Sequence, residues 1–296
     1  MDWDKLRVFH AVAEAGSFTH AGEALNLSQS AISRQISSLE HDLGVTLFHR
    51  HARGLVRTEQ GELLYNTTRD VNHKLSTAQA LLMDSTERPR GPLKVTTTVA
   101  LGSIWLTPRV KEFIDLYPEI TLTLLLSDEE IDLGMREADV AIRLTPPRQP
   151  DLVQRRLMTL HTHVYAAPEY LKAHAMPQRI EDLNEHNLVV YGEDFRPPTA
   201  HVNWLLDAVT AAGINPANLL KVNNIYGIYR AVQSGVGIAA LPDYAVRQAS
   251  NLVRILPEHT GPSFDSYFVY PEDLRHSKRV NVFRDFLLGK IDETHF

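Results

Sequence analysis

No cysteine occurs among the 296 residues. Disulfides, thiolate nucleophiles, cysteine-based zinc sites and thiol redox sensing are therefore excluded within this chain. No apolar run reaches the roughly 18 residues that cross a bilayer. The start, Met1-Asp2-Trp3-Asp4, is acidic and already amphipathic rather than signal-like, so a cytoplasmic protein is expected. Basic residues are also in the minority: 30 Lys and Arg against 36 Asp and Glu, for a net charge of -6. A chain that is basic throughout is excluded, but a local basic patch is not.

Such a patch is present. Between Ser28 and Arg57 lie Arg34, Arg50, Arg53 and Arg57, with His41, His49 and His51, while the only acids are Glu40 and Asp42. Charge is segregated where phosphate contacts would use it. The overall composition, 44% hydrophobic and 22% charged, is that of a globular protein, and the length suits a small module followed by a larger α/β region.

The first sixty residues read as helices followed by a hairpin. Leu6, Phe9, Val12 and Ala13 recur at helical spacing and Gly16 supplies a stop. Ser17 caps a second helix with Phe18, Ala21 and Leu25 inward. Leu27 plugs a tight turn, and Ser28 caps a third helix. In that helix Ile32, Ile36, Leu39 and Leu43 make an apolar stripe, while Ser30, Ser33, Arg34 and Ser37, beside Gln29, make a polar one. Short or forked donors of this kind suit base edges and phosphates, as in a helix-turn-helix. An ordinary antiparallel helical hairpin with a solvated face fits the same spacing. The following strand-turn-strand, residues 45–48 and 55–58 about Arg53-Gly54, favours the first reading because it forms a basic wing.

These segments resemble the DNA-binding domain of the LysR-type transcriptional regulators. The resemblance is carried by Phe18-Thr19-His20-Ala21-Gly22, Ser28-Gln29-Ser30-Ala31-Ile32-Ser33, Leu43-Gly44-Val45-Thr46-Leu47-Phe48 and Thr58-Glu59-Gln60-Gly61. It implies base and phosphate contacts from Gln29, Ser30, Ser33 and Arg34, with wing contacts from Arg53 and Arg57. Ser28 reads as a helix cap.

From residue 58 to about 88 there is no proline, and Gly61 is the only glycine. Leu64, Val71, Leu75, Ala78 and Leu82 form a heptad-like seam. The helix either lies on its own domain or pairs with another copy. The resemblance implies pairing, as a dimer or a tetramer. Arg88-Pro89-Arg90-Gly91-Pro92 then marks a domain boundary.

Beyond it strands and helices alternate: strands over 93–98, 120–126 and 139–144, and helices over 104–116 and 131–136. The alternation predicts parallel sheets covered by helices, with ligands beyond the strand C-termini. The elements continue over 188–191, 202–212, 220–223, 225–234, 238–241, 267–270 and 280–288. "YPEITLTLLL", "EADVAIRL", "VYAAPEYL" and "AVQSGVGIAALPDYAV" resemble the effector domain of the same family, which implies a two-lobed architecture like that of periplasmic binding proteins. Trp204, the "ADVAIR" segment and Phe268-Val269-Tyr270-Pro271 most resemble the branch containing the glycine-cleavage activator. The expected organisation is a winged helix-turn-helix over 1–58, a linker helix over 59–88 and an effector domain over 89–296. Its lobes are expected over 92–161 with 267–296, and over 162–266.

An effector in the inter-lobe cleft is expected to meet Thr98, Ala100, Ser103, Ser127, Asp128, Arg143, Asn224 and Tyr226. Thr98 and Ser103 stand at a strand end and helix start, which favours an anion, and Arg143 could grip a carboxylate. A carboxylate or amino acid is therefore the expected effector. Bland readings stand beside these: Ser127 and Glu130 fit a capping box, and Arg143 could pair with Asp139 or another acid.

Other motifs carry no chemistry. Gly235-Val236-Gly237-Ile238-Ala239-Ala240 follows a helix and opens a strand, the reverse of a dinucleotide fingerprint. His161 and His163 lack an evident third metal ligand. No nucleophile elbow or paired carboxylates stand out, so no enzyme activity, cofactor or metal is expected. The expected partners are double-stranded promoter DNA, a small-molecule effector and further copies of the chain, with RNA polymerase as a candidate and no membrane. The competing reading is a solute-binding receptor or minor catalyst built from the C-terminal region.

Overall fold

The computed structural model describes residues 2–51, 54–83, 88–146, 151–247 and 251–294. Two compact units divide the chain, residues 1–83 and 84–296.

In the first unit α1 (Trp3–Ala15) is capped by Asp2, which accepts the Asp4 amide, and ends on Gly16 at φ +60°. Ser17 caps α2 (Phe18–Leu25), and Ser28 caps α3 (Gln29–Leu43) by accepting the Ala31 amide. Between them Asn26 takes the left-handed conformation that reverses the chain. Gly22 makes this turn possible: a Cβ there would lie 2.6 Å from the Leu27 carbonyl oxygen. Phe9, Val12, Ile32, Ile36 and Leu39 are fully buried in one cluster, so three amphipathic helices share one small core.

The hairpin β1 (Phe48–His51) and β2 (Gly54–Arg57) pairs antiparallel, Phe48 opposite Arg57. Its tip, including Arg53, lies outside the described residues. The Thr58 hydroxyl donates to the Thr46 carbonyl at 2.7 Å and accepts the Gly61 amide at 2.9 Å, which fastens the start of α4 (Glu59–Met83). A Cβ on Gly61 would lie 2.1 Å from the Leu47 carbonyl oxygen. The spacing of Thr58 and Gly61 thus records a close approach of helix to strand. Leu64, Tyr65 and Thr68 of α4 face their own module: Tyr65 stacks on His10, ring centroids 5.4 Å apart. Val71 and Leu75 are exposed. The expected seam therefore divides, with Leu64 already used within the chain. The side chains of Ala78 and Leu82 lie outside the described residues.

The second unit opens with β3 (Gly91–Thr97). The helix expected over 104–116 changes pitch as it goes: a wide π turn over Leu101–Leu106, a 3-10 turn over Thr107–Arg109, then α5 (Val110–Leu116). Pro108 sits at the change, and proline can neither donate an amide nor fit a helix interior. Next come β4 (Ile120–Leu126) and β5 (Val140–Arg143). The helix expected over 131–136 is a turn instead. Asp132 accepts the Gly134 and Met135 amides, and Arg136 has φ +57°. A side chain that satisfies those amides locally competes with helix formation.

β6 (Leu152–Leu160) leads into β7 (Thr162–Ala166) and α6 (Pro168–Ala173). There follow β8 (Asn187–Tyr191), α7 (Trp204–Ala211), β9 (Asn218–Val222), α8 (Ile225–Gln233), β10 (Ala239–Pro242) and α9 (Asp243–Val246). The chain closes with β11 (Val253–Thr260), β12 (Phe264–Pro271) and α10 (Lys278–Thr294).

One sheet has the order β4-β3-β5-β12-β6. β3 runs parallel to β4 and β5, while β12 runs antiparallel to β5 and β6. A second sheet, β10-β7-β11, is antiparallel, and β8-β9 is parallel beside it. The expected all-parallel sheets are thus mixed, because the chain leaves the first sheet after β6 and returns only at β12. Trp105, Phe113, Phe268 and Phe283 fill the core beneath the first sheet, with Phe113 and Phe283 edge to face at 5.1 Å. Val164, Leu188, Leu205, Val209 and Ile238 form a second core. The first of these cores also takes in Tyr165, Val189, Ile228 and Leu241, so it runs from the lobe of the first sheet into the lobe of the second. Among the described residues no helix is long and apolar enough to cross a membrane.

Candidate nucleic-acid interface and effector cavity

α3 divides its residues by face. Gln29, Ser30, Arg34 and Ser37 are exposed and Ser33 is half-buried, whereas Ile32, Ile36 and Leu39 are inaccessible. Gln29 and Ser30 stand in the first turn, where capping leaves their side chains outside the core. The Ser28 and Ser30 hydroxyls lie 3.1 Å apart. Arg34 donates from Nε to the Ser30 carbonyl at 3.3 Å, which aligns its guanidinium along the exposed face.

Arg57 is placed differently from the expectation of a wing contact. It donates to the Ala13 carbonyl at 2.7 Å and to Glu62 at 2.6 Å, and its guanidinium lies 4.4 Å from the Tyr65 ring centroid. These contacts tie β2 to the end of α1 and the start of α4. Arg57 is therefore a clamp inside the module, because its neighbours in space, not in sequence, supply the acceptors.

In the second unit the ends of β3, β4 and β5 converge on two adjoining cavities. One, of about 30 Å³, is lined from both lobes by Thr98, Ala100, Asp128, Trp204, Tyr244 and Phe264, among others. The other, about 920 Å³ and open to solvent, adds Ser127, Arg143, Arg196 and Asn224. Thr98, Asp128 and Leu144 belong to both. Of the residues expected at an effector site, Thr98, Ala100, Ser127, Asp128, Arg143 and Asn224 are thus brought together.

Ser103 and Tyr226 line neither cavity. Ser103 lies within the wide turn, where the loosened helical repeat displaces it from the face that Thr98 and Ala100 share. Tyr226 packs in the first turn of α8 toward Tyr229, ring centroids 6.4 Å apart. Asn224 caps α8 by accepting the Gly227 amide at 2.7 Å.

Two further roles differ from expectation. The Ser127 hydroxyl accepts the Glu129 amide at 3.0 Å in a tight turn, and no helix follows for a capping box. Arg143 pairs with Glu130 at 2.8 Å rather than with Asp139, and donates to the Ile131 carbonyl at 2.7 Å. Asp139 instead accepts the Lys94 amide at 2.8 Å. Burial pulls the Arg143 guanidinium below its ordinary value, and Glu130 opposes that pull.

Asp128 has the most consequential position. Its Oδ1 accepts the Val99 amide at 3.0 Å, so the protein's own carboxylate occupies the backbone position expected to receive an anionic ligand. Its Oδ2 is buried without a hydrogen-bond partner among the described residues, as are the Thr98 hydroxyl and Trp204 Nε1. Burial raises the Asp128 carboxyl above its ordinary value, and the Val99 amide offsets this only in part. Burial, and then the nearby Asp128, push the Tyr191 hydroxyl up to about 12 and raise that of Tyr244 as well.

Trp204 and Tyr244 are the lining residues the sequence reading missed as site residues. Their signal lies in the fold, since α7 and the β10–α9 junction reach the cavity from the second lobe. The two histidines weighed as a metal pair also separate: His163 Nδ1 lies 2.6 Å from Asp243, and no metal-binding cluster occurs among the described residues.

Comparison with known proteins places both units. Residues 3–62 match the model of the bacterial regulatory helix-turn-helix protein, lysR family, and residues 86–292 match the LysR substrate binding domain. The HTH-type transcriptional regulator CrgA of Neisseria meningitidis serogroup C is 32% identical over 97% of this chain and 96% of its own length. An HTH-type transcriptional regulator of Xanthomonas campestris pv. campestris is 30% identical over 98% of this chain and 86% of its own length. The solved structure of CrgA, a LysR-type transcriptional regulator from Neisseria meningitidis, superposes with a TM-score of 0.59 at 28% identity, covering 98% of this chain and 99% of that one. The chain belongs to the LysR family of helix-turn-helix transcriptional regulators, with an effector-binding domain and no enzymatic role.

Proposed function

We propose that this protein binds promoter DNA through α3, does so as a homo-oligomer, and changes that binding when a small molecule enters the cavity between the lobes. The observation that carries the reading is the division of α3 into an apolar face held by Ile32, Ile36 and Leu39 and an exposed face of Gln29, Ser30 and Arg34. A helix so mounted presents forked and hydroxyl donors to the major groove without unpacking its core. Ser33 flanks them, and Arg53 belongs to the wing tip, outside the described residues. Arg57 is left out because its guanidinium is engaged internally.

Residues 1–58 are assigned to the DNA-binding module, 59–88 to the linker helix and 89–296 to the effector domain, with lobes over 92–161 with 267–296 and over 162–266. Exposed Val71 and Leu75 support pairing of α4 with a second copy. Paired readers engage two half-sites and so gain avidity. The effector then acts by binding unequally to two arrangements of the oligomer. RNA polymerase is a further proposed partner, and the cytoplasm the proposed compartment. The narrower branch, that of the glycine-cleavage activator, has for support only the segments about Trp204, residues 138–143 and residues 268–271. The earlier expectation of a carboxylate or amino-acid effector rests on Thr98, Ser103 and Arg143; the paired state of Arg143 weakens it.

Fluorescence anisotropy with DNA from upstream of the chain's own coding sequence tests the reading. Binding at least about tenfold tighter than to a scrambled duplex at the same salt is expected. Equal affinity for the two duplexes would overturn it.

A further inference from the structure

We propose that Glu130 is a built-in stand-in for an anionic ligand: Arg143, which lines the 920 Å³ cleft, is an anion site, and the carboxylate of a small molecule takes it by displacing Glu130. The inference deepens the reading of the cleft between the lobes as the effector site and rests on it.

Arg143 ends β5, the central strand of the first sheet, and is only 8% exposed. A cation so covered has lost most of its water and needs a partner. Its Nη2 donates to the Ile131 carbonyl at 2.7 Å, a neutral acceptor. Its Nη1 lies 2.8 Å from Glu130 Oε1, yet makes no aligned hydrogen bond among the described residues. The positive charge is thus met by proximity and not by a paired fork. Guanidinium and carboxylate match best through two parallel hydrogen bonds. A ligand carboxylate that is free to turn can reach that alignment, whereas Glu130 is tethered to its own backbone.

Glu130 holds its place lightly. Its side chain is 63% exposed, so its return to water costs little. It stands in the irregular stretch over 127–132 between β4 and β5, where neither helix nor strand fixes the chain. The partners are therefore unequal: the arginine is buried on a central strand, and the glutamate is readily released. Both line the cleft, where Leu126, Ile131, Leu144 and Phe195 offer apolar surface to the rest of a ligand. Asp128, Glu129 and Asp194 also line it, against one further cation, Arg196. That surplus of negative charge repels polyanions, so the ligand class is a single carboxylate on an apolar body. Its apparent affinity is the intrinsic affinity scaled by the fraction of time that Arg143 is released from Glu130.

The test is calorimetry on the full-length protein with phenylacetate and its uncharged amide, phenylacetamide, at one ionic strength. Glu130→Gln is expected to tighten phenylacetate about five- to tenfold and phenylacetamide by less than about twofold. Glu129→Gln removes the same charge one residue away, from a side chain not paired with Arg143, and is expected to change phenylacetate by less than about twofold. In Arg143→Lys, which keeps the charge but loses the fork, adding Glu130→Gln is expected to bring no more than about a twofold gain. Phenylacetate that binds no tighter to Glu130→Gln than to the wild type, or an equal gain in Glu129→Gln, overturns the competition. Ala200→Trp, at an exposed position lining the cleft, separates that failure from failure of the effector site. Binding lost in Ala200→Trp keeps the site in the cleft, whereas binding that survives it places the probes elsewhere and overturns the proposal as well. Absence of phenylacetate binding to both the wild type and Glu130→Gln also overturns the proposal.

Discussion

The Glu40 carboxylate, in the last turn of α3, accepts the Leu47 amide at 2.7 Å and that of Phe48 at 3.3 Å. One side chain thereby fixes the distance between the helix that presents Arg34 and the strand that begins the wing. Glu40→Ala would leave two partly buried amides without their acceptor. It is expected to cost about 1–3 kcal/mol, with Glu40→Gln costing less, as read by urea denaturation. Unchanged stability in the alanine variant would show that water replaces the carboxylate freely.

Arg34 lies on the exposed face of α3 and donates locally to the Ser30 carbonyl. Arg34→Ala is expected to weaken specific DNA binding by about 1–3 kcal/mol while leaving the melting temperature unchanged. Gln29→Ala should act in the same direction. Anisotropy titrations against specific and scrambled duplexes, at one salt concentration, check both. If both variants keep full preference for the specific duplex, α3 is not the reading helix.

Leu75 is 51% exposed on α4, about two turns beyond Thr68, which still contacts His10 of the module. A leucine so placed fits a seam with another copy. Leu75→Glu is expected to lower the molecular mass measured by light scattering and to reduce DNA affinity with it. An unchanged mass would place the oligomer contact elsewhere.

Asp128 makes stability depend on pH in a defined sense. Its carboxyl, 3.8 ordinarily, is raised in the folded protein by burial. The folded state therefore keeps a proton that the unfolded chain has already lost, and the contribution of Asp128 to stability falls as pH rises through the folded value. Asp128→Asn lacks this loss and still offers an oxygen to the Val99 amide. The variant is expected to melt above the wild type near neutral pH, with the difference shrinking as pH falls toward 3.8. A variant that melts below the wild type at neutral pH would show that the charged form is the stabilised one.

Local features were the legible ones. The caps Ser17 and Ser28, the stop at Gly16 and the buried stripe of Ile32, Ile36 and Leu39 follow from spacing and residue chemistry within one turn of chain. β4 was legible end to end, since an unbroken β-branched and leucine run has few alternatives. β6 was not, because Gln154, Arg155 and Arg156 interrupt any apolar pattern; its pairing with β12 holds it in the sheet. The 131–136 turn was misread because the asparaginyl-like role of Asp132 competes with helix at no cost visible in periodicity.

The cavity divides in the same way. Thr98, Asp128 and Arg143 could be placed at strand ends from the alternation alone. Their chemistry could not, because it depends on partners outside their own strands: Asp128 on Val99, and Arg143 on Glu130.

From the sequence alone came the three capped helices, the hairpin that follows them and the long helix after it, because each is written in short-range periodicity and capping, whereas the two-lobed α/β domain was legible only through the family resemblance. Only the tertiary structure decided that Arg57 is a clamp, that Arg143 is neutralised by Glu130, and that Asp128 receives the Val99 amide. The physical reason is that a side chain's charge and hydrogen-bonding capacity are set by what surrounds it, and those surroundings are assembled from distant segments only when the chain folds.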